Sequence, residues 1–355
     1  MTPFKQPPSD INVRATKIAN ESCPTRLRFS KGSTMKRIFI LMFATSMALI
    51  SVASHGIAQD KKTPPEPPPT PTEAEVAYGS HPKQVLSFWK VESEKPTPLL
   101  FFIHGGGWQA GNRMGGMNSL VPAMHKAGIS VVSIEYRFIE EAMADKVEPP
   151  VKGCLYDAAR ALQFVRSKAT EWNIDKTRIA ASGGSAGACS SLWLAFHDDL
   201  ADPNSSDPIS HESTRLLCAA VNGAQTTLDP QQMKEWAPNS NYGSHAFGIF
   251  KEVNGKKARD FDAFLARREE ILPWIQEYSP YALVTPDDPP VYLHYTAPPA
   301  LGQEQKDPTH TSNFGVKLQE HCLSAKVDCE LNYPDAPDVK HKTVNEYLID
   351  KLTAK

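Results

Sequence analysis

Beyond about residue 75, short apolar runs alternate with longer segments in which apolar residues recur at helical spacing. Residues 99–103 and 129–134 are mainly apolar runs, which is typical of buried parallel strands. Between them, residues 119–127 have a helical composition and end at Gly128. The pattern therefore predicts a strand, a helix and a second strand in succession.

The same alternation continues towards the end of the chain. Residues 154–172 carry apolar side chains at the spacing of one helix face, which predicts a helix with one buried side. Further strands are predicted at residues 178–182, 216–221, 291–295 and 327–333, and further helices at residues 186–200, 314–324 and 343–352. This order favours the α/β class, with a mostly parallel sheet covered by helices on both faces.

Composition narrows the class of protein. The 355 residues are 41% hydrophobic and 22% charged, as in an ordinary globular domain. With 38 Lys and Arg against 40 Asp and Glu, the net charge of −2 excludes the broad basic surface of a nucleic-acid-binding protein. Residues 1–58 hold eight of the basic and two of the acidic residues, which leaves 30 − 38 = −8 for the remainder. A cationic leader thus precedes an acidic body.

Residues 35–58 have the three parts of a secretory signal peptide. A short cationic segment precedes an apolar run, and no charged residue follows until Asp60. Small residues at Gly56 and Ala58 fit a cleavage site, which predicts an exported mature chain that starts near Gln59 and has no membrane span. An uncleaved anchor is the alternative, although the apolar run is barely long enough to cross a bilayer.

The segments before and after the predicted signal peptide set the remaining domain boundaries. Residues 1–34 are polar and precede the natural-looking start at Met35, so we expect them to be unstructured or to reflect a wrongly assigned start codon. The Pro-rich residues 59–74 predict a stiff linker. The folded domain is expected over residues 75–355. Within it, residues 226–275 are too long for a simple crossover and would form either a cap over the site or structural padding.

Cysteine spacing does not indicate a disulfide framework or a zinc site. Loss of Cys23 with the leader leaves five cysteines, an odd number. Cys322 and Cys329 would either pair in an oxidising compartment or remain as buried thiols. No spacing in the chain matches that of zinc ligands, so no metal is predicted.

The segment Gly183–Gly187 reads Gly-Gly-Ser-Ala-Gly and lies between a predicted strand and a predicted helix. In a G-x-S-x-G turn the backbone is tight and strained, so that the serine hydroxyl stands above the sheet, and the glycines avoid clashes with neighbouring elements. The pattern alone has little specificity, but its strand–turn–helix setting strengthens it. Ser185 is therefore the candidate nucleophile.

A second glycine motif, His104-Gly105-Gly106-Gly107-Trp108, follows the first predicted strand. Acyl transfer passes through a tetrahedral oxyanion that backbone amides stabilise, and glycines allow the substrate to approach those amides closely. Gly106 and Gly107 would supply two of the amides, and Ala186, beside the candidate nucleophile, would supply a third. A flexible turn is the alternative for the glycines alone.

Together these motifs make the chain resemble the α/β-hydrolase superfamily, in its esterase and lipase branch with an HGGG oxyanion loop. The resemblance runs from about residue 85 to residue 347 and is most specific at His104–Trp108, at the segment Glu135-Tyr136-Arg137 and at Gly183–Gly187. It implies an eight-stranded, mostly parallel sheet, a Ser–acid–His triad in that chain order, no cofactor, and hydrolysis of carboxylic esters, including carbohydrate esters.

His341 is the base that the resemblance indicates. The family histidine follows the eighth strand, and of the histidines after Ser185 only His341 follows the predicted strand at residues 327–333. Lys342 replaces the small residue that usually comes next, so a surface histidine is the alternative. His310 is the substitute base if His341 proves distant from the serine.

The acid departs from the family pattern. The family usually has an aspartate about four residues past His294, where this chain has Pro298. Asp307 is therefore expected as the acid, because it lies 34 residues before His341, a spacing close to the family's, and Glu304 is the second choice.

The absence of the usual family aspartate, where this chain has Pro298, leaves other functions open. A hydrolase-fold protein that binds a ligand without turnover would explain the missing acid, and a serine peptidase is a third interpretation. The motifs favour an exported serine esterase that acts on small-molecule or carbohydrate esters. The oligomeric state does not follow from the sequence.

Overall fold

The computed structural model describes residue 67 and residues 69–354. The predicted signal peptide at residues 35–58, the segment at residues 1–34 and the first part of the predicted linker lie outside the described residues. The first strand starts at Glu73, close to the predicted start of the folded domain.

Ten strands are present within the described residues. They are β1 (Glu73–Ala77), β2 (Val85–Trp89), β3 (Thr97–Ile103), β4 (Ser130–Ile134), β5 (Ile174–Gly184), β6 (Cys218–Asn222), β7 (Phe250–Val253), β8 (Lys256–Arg259), β9 (Val291–His294) and β10 (Cys329–Asn332). Eight form one sheet in the order β1-β2-β4-β3-β5-β6-β9-β10, while β7 and β8 form a separate ribbon. Only β1–β2 and β2–β4 pair in antiparallel fashion within the large sheet.

The helices alternate with these strands along most of the chain. They are α1 (Met117–Lys126), α2 (Ile139–Ala144), α3 (Pro150–Ser167), α4 (Ala169–Trp172), α5 (Ala186–Phe196), α6 (Pro230–Trp236), α7 (Phe261–Ala266), α8 (Leu272–Tyr278), α9 (Pro280–Leu283), α10 (Ser312–Ser324) and α11 (Val344–Thr353). None of the helices in the described part of the chain is long and apolar enough to span a membrane.

Both faces of the large sheet are buried. On one face, side chains of α1 and α11 such as Met124 and Tyr347 pack with Leu100 and Val131 of the sheet. The opposite face packs against a larger apolar cluster that includes α3, α5 and α10. This burial explains why β3 and β4 are mainly apolar in the sequence. The predicted α/β-hydrolase architecture, with eight mostly parallel strands, is confirmed.

Two strands, β1 and β2, were not predicted from the hydrophobic pattern. β1 has the sequence Glu-Ala-Glu-Val-Ala and is exposed along most of its length at the edge of the sheet. β2 is buried, but it is only five residues long and contains Ser87. An edge strand whose side chains mostly face water needs no apolar periodicity. Such a strand therefore cannot be predicted from the hydrophobic pattern of the sequence.

Residues 226–275 are folded rather than extended. They contain α6, the β7–β8 ribbon and α7, and Phe247 stacks on Phe264 with ring centroids 5.4 Å apart.

The five cysteines within the described residues are buried free thiols, Cys322 and Cys329 included. No group of three or more His, Cys, Asp or Glu side chains in the described part of the chain is placed to hold a metal ion.

Candidate active site

Ser185 occupies the sharp turn between β5 and α5. Its backbone angles, φ of 54° and ψ of −121°, lie in a region that residues other than glycine rarely adopt. The Ser185 amide donates a 3.0 Å hydrogen bond to the Asn222 carbonyl at the end of β6, which holds the strained turn against the neighbouring strand. The backbone thus has the geometry that a nucleophile elbow requires.

The glycines of this turn allow the close approach of β3. A Cβ on Gly187 would lie 2.1 Å from the Ile103 carbonyl oxygen, and one on Gly183 would lie 2.4 Å from the same atom. A Cβ on Gly105 would lie 2.5 Å from the Gly184 carbonyl oxygen. The two glycine motifs of the sequence are therefore in backbone contact, which explains why each is rich in glycine.

Replacing Gly187 with alanine should destabilise the protein strongly. The added methyl group meets backbone rather than a flexible side chain, so β3 or the turn must move, at a cost of about 3 kcal/mol or more. Gly184→Ala is the matched control, because a Cβ there has its nearest neighbour, the Asn222 carbonyl oxygen, at 3.9 Å. Urea unfolding of both variants tests this, and an equal shift of the two midpoints would contradict the packing argument.

The loop after β3 presents amide groups near Ser185. Within the described residues, no hydrogen bond is donated by the backbone amides of Gly106 or Gly107. Ala186 is the first residue of α5, where an amide has no partner within the helix. Gly106 and Gly107 have φ values of 109° and 63°, which turn the loop in a way that favours glycine. These amides remain free to bind an anionic oxygen.

Side chains behind the loop hold it in place. The Tyr136 hydroxyl donates a 2.8 Å hydrogen bond to the His104 carbonyl. Trp108 is fully buried, and its Nε1 donates to Ser190 Oγ in α5 at 3.0 Å. Both contacts tie the loop to the core, so His104 and Trp108 have structural roles here.

His310 is the histidine that contacts the candidate nucleophile. Its Nε2 lies 2.9 Å from Ser185 Oγ, and its Nδ1 lies 2.8 Å from Asp307 Oδ2. The amides of Thr309 and His310 donate to Asp307 Oδ1 at 3.1 and 3.2 Å. Burial would raise the pKa of Asp307, but the hydrogen bonds from His310 and Thr309 outweigh it and lower this pKa below its usual value. Serine, histidine and an ionised carboxylate therefore form one continuous hydrogen-bonded chain.

The structure does not bring His341, the predicted base, to Ser185. His341 lies in the loop before α11, where its Nδ1 is 2.7 Å from Glu330 Oε2 and its Nε2 is 3.2 Å from Asp350 Oδ2. Both ring nitrogens are thus engaged by carboxylates away from Ser185. The substitute base, His310, occupies the position beside the serine instead.

Of the two candidate acids, Asp307 faces the histidine and Glu304 does not. Glu304 is exposed to solvent, and only its backbone carbonyl accepts a hydrogen bond, from Gln305 Nε2 at 3.5 Å. Sequence reasoning missed the pairing of Asp307 with His310 because it looked for the histidine after the last strand. The spacing Asp-x-x-His was the available signal, since an aspartate that accepts amides two and three residues ahead forms a compact turn.

Residues 226–275 pack against the outer side of the HGGG loop. His245 Nε2 donates a 3.1 Å hydrogen bond to the Gly107 carbonyl, and the rings of His245 and Trp108 lie 6.1 Å apart. Tyr242 also lies beside Trp108, with ring centroids 6.4 Å apart. His245 is a positioning residue for this loop, one that the sequence analysis did not single out.

The buried His245 should make stability depend on pH. Burial, together with the nearby Arg259 cation, lowers the pKa of His245 to about 3. The unfolded chain binds a proton at this histidine below about pH 6.5 and the folded chain does not, so the free energy of unfolding should fall as pH falls from about 6.5 towards 3. Urea unfolding between pH 4 and pH 7.5 should show a flatter dependence for His245→Gln. Because burial also lowers the pKa of His294 and His321, only the difference between the two curves reports on His245. Parallel curves would contradict this assignment.

Ser185 opens into a shallow cavity of about 480 Å³. Gly105, Gly106 and Gly184 line it together with Phe102. The serine, the free amides and the cavity therefore occupy the same end of the sheet, at the carboxyl ends of the parallel strands, where ligands bind in open α/β folds.

A mostly parallel sheet with a serine at a strand–helix elbow and an adjacent glycine loop defines the α/β-hydrolase class. The family model described as BD-FAE matches residues 88–305, more than half of the chain. The chain therefore belongs to the BD-FAE family.

Curated relatives match parts of the chain. The probable carboxylic ester hydrolase LipM of Mycobacterium tuberculosis is 28% identical over 152 residues, which cover 41% of this chain and 33% of LipM. The carboxylesterase NlhH of the same organism is 33% identical over 141 residues, which cover 38% of this chain and 41% of NlhH. The chain thus spans less than half the length of either relative.

Solved structures share the fold. A truncated carbohydrate esterase from gut microbiota has a TM-score of 0.59 and 19% identity, and the match covers 81% of this chain and all of that one. An acetyl ester-xyloside bifunctional hydrolase from Caldicellulosiruptor lactoaceticus has a TM-score of 0.54 and 20% identity, covering 74% of this chain and 86% of that one. At these identities the likeness establishes the fold.

Proposed function

We propose that the protein is a serine hydrolase of carboxylic esters, with Ser185, His310 and Asp307 as its triad. The observation that supports this most directly is the hydrogen-bonded chain from Ser185 Oγ through His310 to Asp307, with contacts of 2.9 and 2.8 Å. A serine hydroxyl is a weak nucleophile unless a positioned base removes its proton, and a carboxylate orients that base.

In the proposed mechanism, Ser185 Oγ attacks the ester carbonyl carbon while its proton passes to His310 Nε2. The carbonyl oxygen becomes an oxyanion that accepts hydrogen bonds from the amides of Gly106, Gly107 and Ala186. Asp307 holds the imidazole ring through Nδ1–H and stabilises its positive charge. Collapse of the intermediate breaks the bond to the alcohol, which takes the proton from Nε2 and leaves an acyl-serine. Water, deprotonated by His310, then releases the acid and restores the serine.

An intact hydrogen-bonded triad argues against a binding protein that has lost turnover. A strained serine is retained only where the surrounding structure holds it, and the elbow of Ser185 is held by Asn222 and the glycine contacts. The peptidase alternative finds no support in the relatives, two of which are named as ester hydrolases. Carbohydrate esters are candidate substrates because a fold neighbour is named a carbohydrate esterase.

Rapid kinetics with p-nitrophenyl acetate test the activity. We expect a burst of p-nitrophenol equal to the enzyme concentration, followed by slower turnover, and no burst with Ser185→Ala. A fluorophosphonate probe should label the wild-type protein and not the variant. Absence of both burst and labelling in the folded wild-type protein would refute the proposal.

We also propose that the protein is exported, with residues 35–58 as the cleaved leader. The cationic start, apolar run and small residues at Gly56 and Ala58 support this. Expression of the full chain in a Gram-negative host should yield periplasmic protein whose N-terminus is Gln59. Recovery of the uncleaved chain from the cytoplasm would count against export.

A further inference from the structure

Arg259 is a cation placed beside the HGGG loop. Its Nη2 lies 3.1 Å from the position that a Cβ on Gly107 would occupy. The guanidinium stacks on the ring of Tyr242 at 4.7 Å, and its polar contact is with Gln109 Oε1 at 3.4 Å. Within the described residues no Asp or Glu pairs with it. The guanidinium is therefore positioned by neutral groups and retains unused donors.

Arg259 differs in its partners from two nearby arginines, Arg267 and Arg268. Arg267 pairs with Glu270, with 2.6 Å between nitrogen and oxygen, and Arg268 pairs with Asp229 at 2.7 Å. Those guanidinium groups are satisfied within the protein, and Arg259 is not. A guanidinium is suited to bind a carboxylate through two parallel hydrogen bonds, which a solvated lysine cannot reproduce.

The β7–β8 ribbon extends the positive charge along a groove. Arg259 lies opposite Phe250 in the ribbon, and Lys257, two residues before Arg259, shares its face. Lys256, Lys257, Phe250 and Gln109 line a groove of about 670 Å³, so that Gln109 contacts both the groove and Arg259.

The other wall of this groove is mainly apolar. Ile139 and Met143 of α2 line it, together with one carboxylate, Glu140. Two lysines thus share the lining with one glutamate, and Arg259 adjoins the groove through its contact with Gln109. An apolar wall opposite a cationic one fits a ligand that has both a hydrocarbon or ring surface and a negative charge.

We propose that Arg259, assisted by Lys256 and Lys257, selects esters that carry a carboxylate. This inference rests on the proposed ester hydrolysis at Ser185. The guanidinium adjoins Gly107, whose amide is assigned to the oxyanion, so the carboxylate would lie a few bonds from the ester carbonyl. It would belong either to the acyl portion or to the alcohol portion of the substrate.

Two matched substrate pairs test the selection. For the alcohol portion we compare 4-acetoxybenzoate with neutral 4-acetoxybenzamide, and for the acyl portion 4-nitrophenyl hydrogen adipate with neutral 4-nitrophenyl hexanoate. In one pair, Arg259→Gln should lower the ratio of kcat/KM for the anionic ester to that for the neutral ester about tenfold. The affected pair identifies the portion that bears the charge. Arg259→Lys should restore part of the ratio.

Lys251→Gln is the matched control, because Lys251 lies on the same ribbon, on the face opposite to Arg259, and is not among the residues that line the groove. It should leave both ratios as in the wild-type protein. If both ratios for Arg259→Gln equal those of the wild-type protein, the proposed selection is wrong. The neutral esters report on ester hydrolysis independently, so a failure of the proposed function would appear as lost turnover of every ester.

Binding without turnover gives a second readout. On Ser185→Ala protein, calorimetry with 4-acetamidobenzoate and adipanilic acid, the amide counterparts of the two anionic esters, should show tighter binding than with their neutral carboxamides. Adding Arg259→Gln should abolish the difference. Equal affinities for the charged and neutral amides in the Ser185→Ala protein would overturn the inference even if the enzyme proved inactive on all esters tested.

Discussion

Replacing His310 with glutamine should lower kcat for p-nitrophenyl acetate by about 10⁴-fold or more, the usual effect of removing the base of a serine triad. The expected loss follows from the 2.9 Å contact between His310 Nε2 and Ser185 Oγ. Glutamine is of similar size but cannot accept the serine proton and return it to the alcohol. Steady-state kinetics on folded, purified protein measure the effect.

His341→Gln is the matched comparison. Because His341 is held between Glu330 and Asp350, its loss should reduce stability by about 1–3 kcal/mol. The kcat of the folded His341→Gln protein should nevertheless stay within about twofold of that of the wild-type protein. The reverse result, an active His310→Gln and an inactive His341→Gln, would restore the base indicated by the family resemblance.

Asp307→Asn should lower kcat by about 10³-fold or more, because an asparagine neither fixes the histidine tautomer nor stabilises the imidazolium. Asp307 Oδ2 lies 2.8 Å from His310 Nδ1, and its lowered pKa keeps the carboxylate ionised at neutral pH. The KM should change little, since Asp307 acts on the histidine rather than on the substrate.

Glu304→Gln is the control for the acid, since Glu304 is exposed in the same loop but does not face the histidine. Its kcat should match that of the wild-type protein. A larger loss with Glu304→Gln than with Asp307→Asn would mean that the loop rearranges when substrate binds and that the acid is misassigned.

The proposed acid, Asp307, and the proposed base, His310, lie in the same loop. In the arrangement that the resemblance implies, the acid and the histidine follow different strands, so the core fixes their separation. Here a turn of four residues fixes it, through the amides of Thr309 and His310 that donate to Asp307. The loop is tied to the body by Gln225 Nε2, which donates to the Thr309 carbonyl at 2.7 Å. Motion of this loop should therefore shift both groups together.

Residues 226–275 take part in the site more directly than their sequence indicated. The alternatives were a cap and structural padding, and the contact of His245 with the Gly107 carbonyl shows that the segment supports the HGGG loop. No periodicity or motif marks His245 or Arg259, because each reaches the HGGG loop by contacts made across more than a hundred residues of chain. Only folding brings them to Gly107.

The local patterns of the chain were enough to predict the α/β architecture, the elbow at Ser185 and the glycine loop at residues 104–108. Burial on both faces of a parallel sheet imposes continuous apolar runs, and tight backbone contacts impose glycine, so these features are recorded in neighbouring residues. The histidine is different. A base needs only to reach the serine, and a loop from several places in the chain can deliver it. Position after the last strand favoured His341, whereas the fold brings His310 to Ser185, since that choice depends on distances in space that sequence spacing does not record.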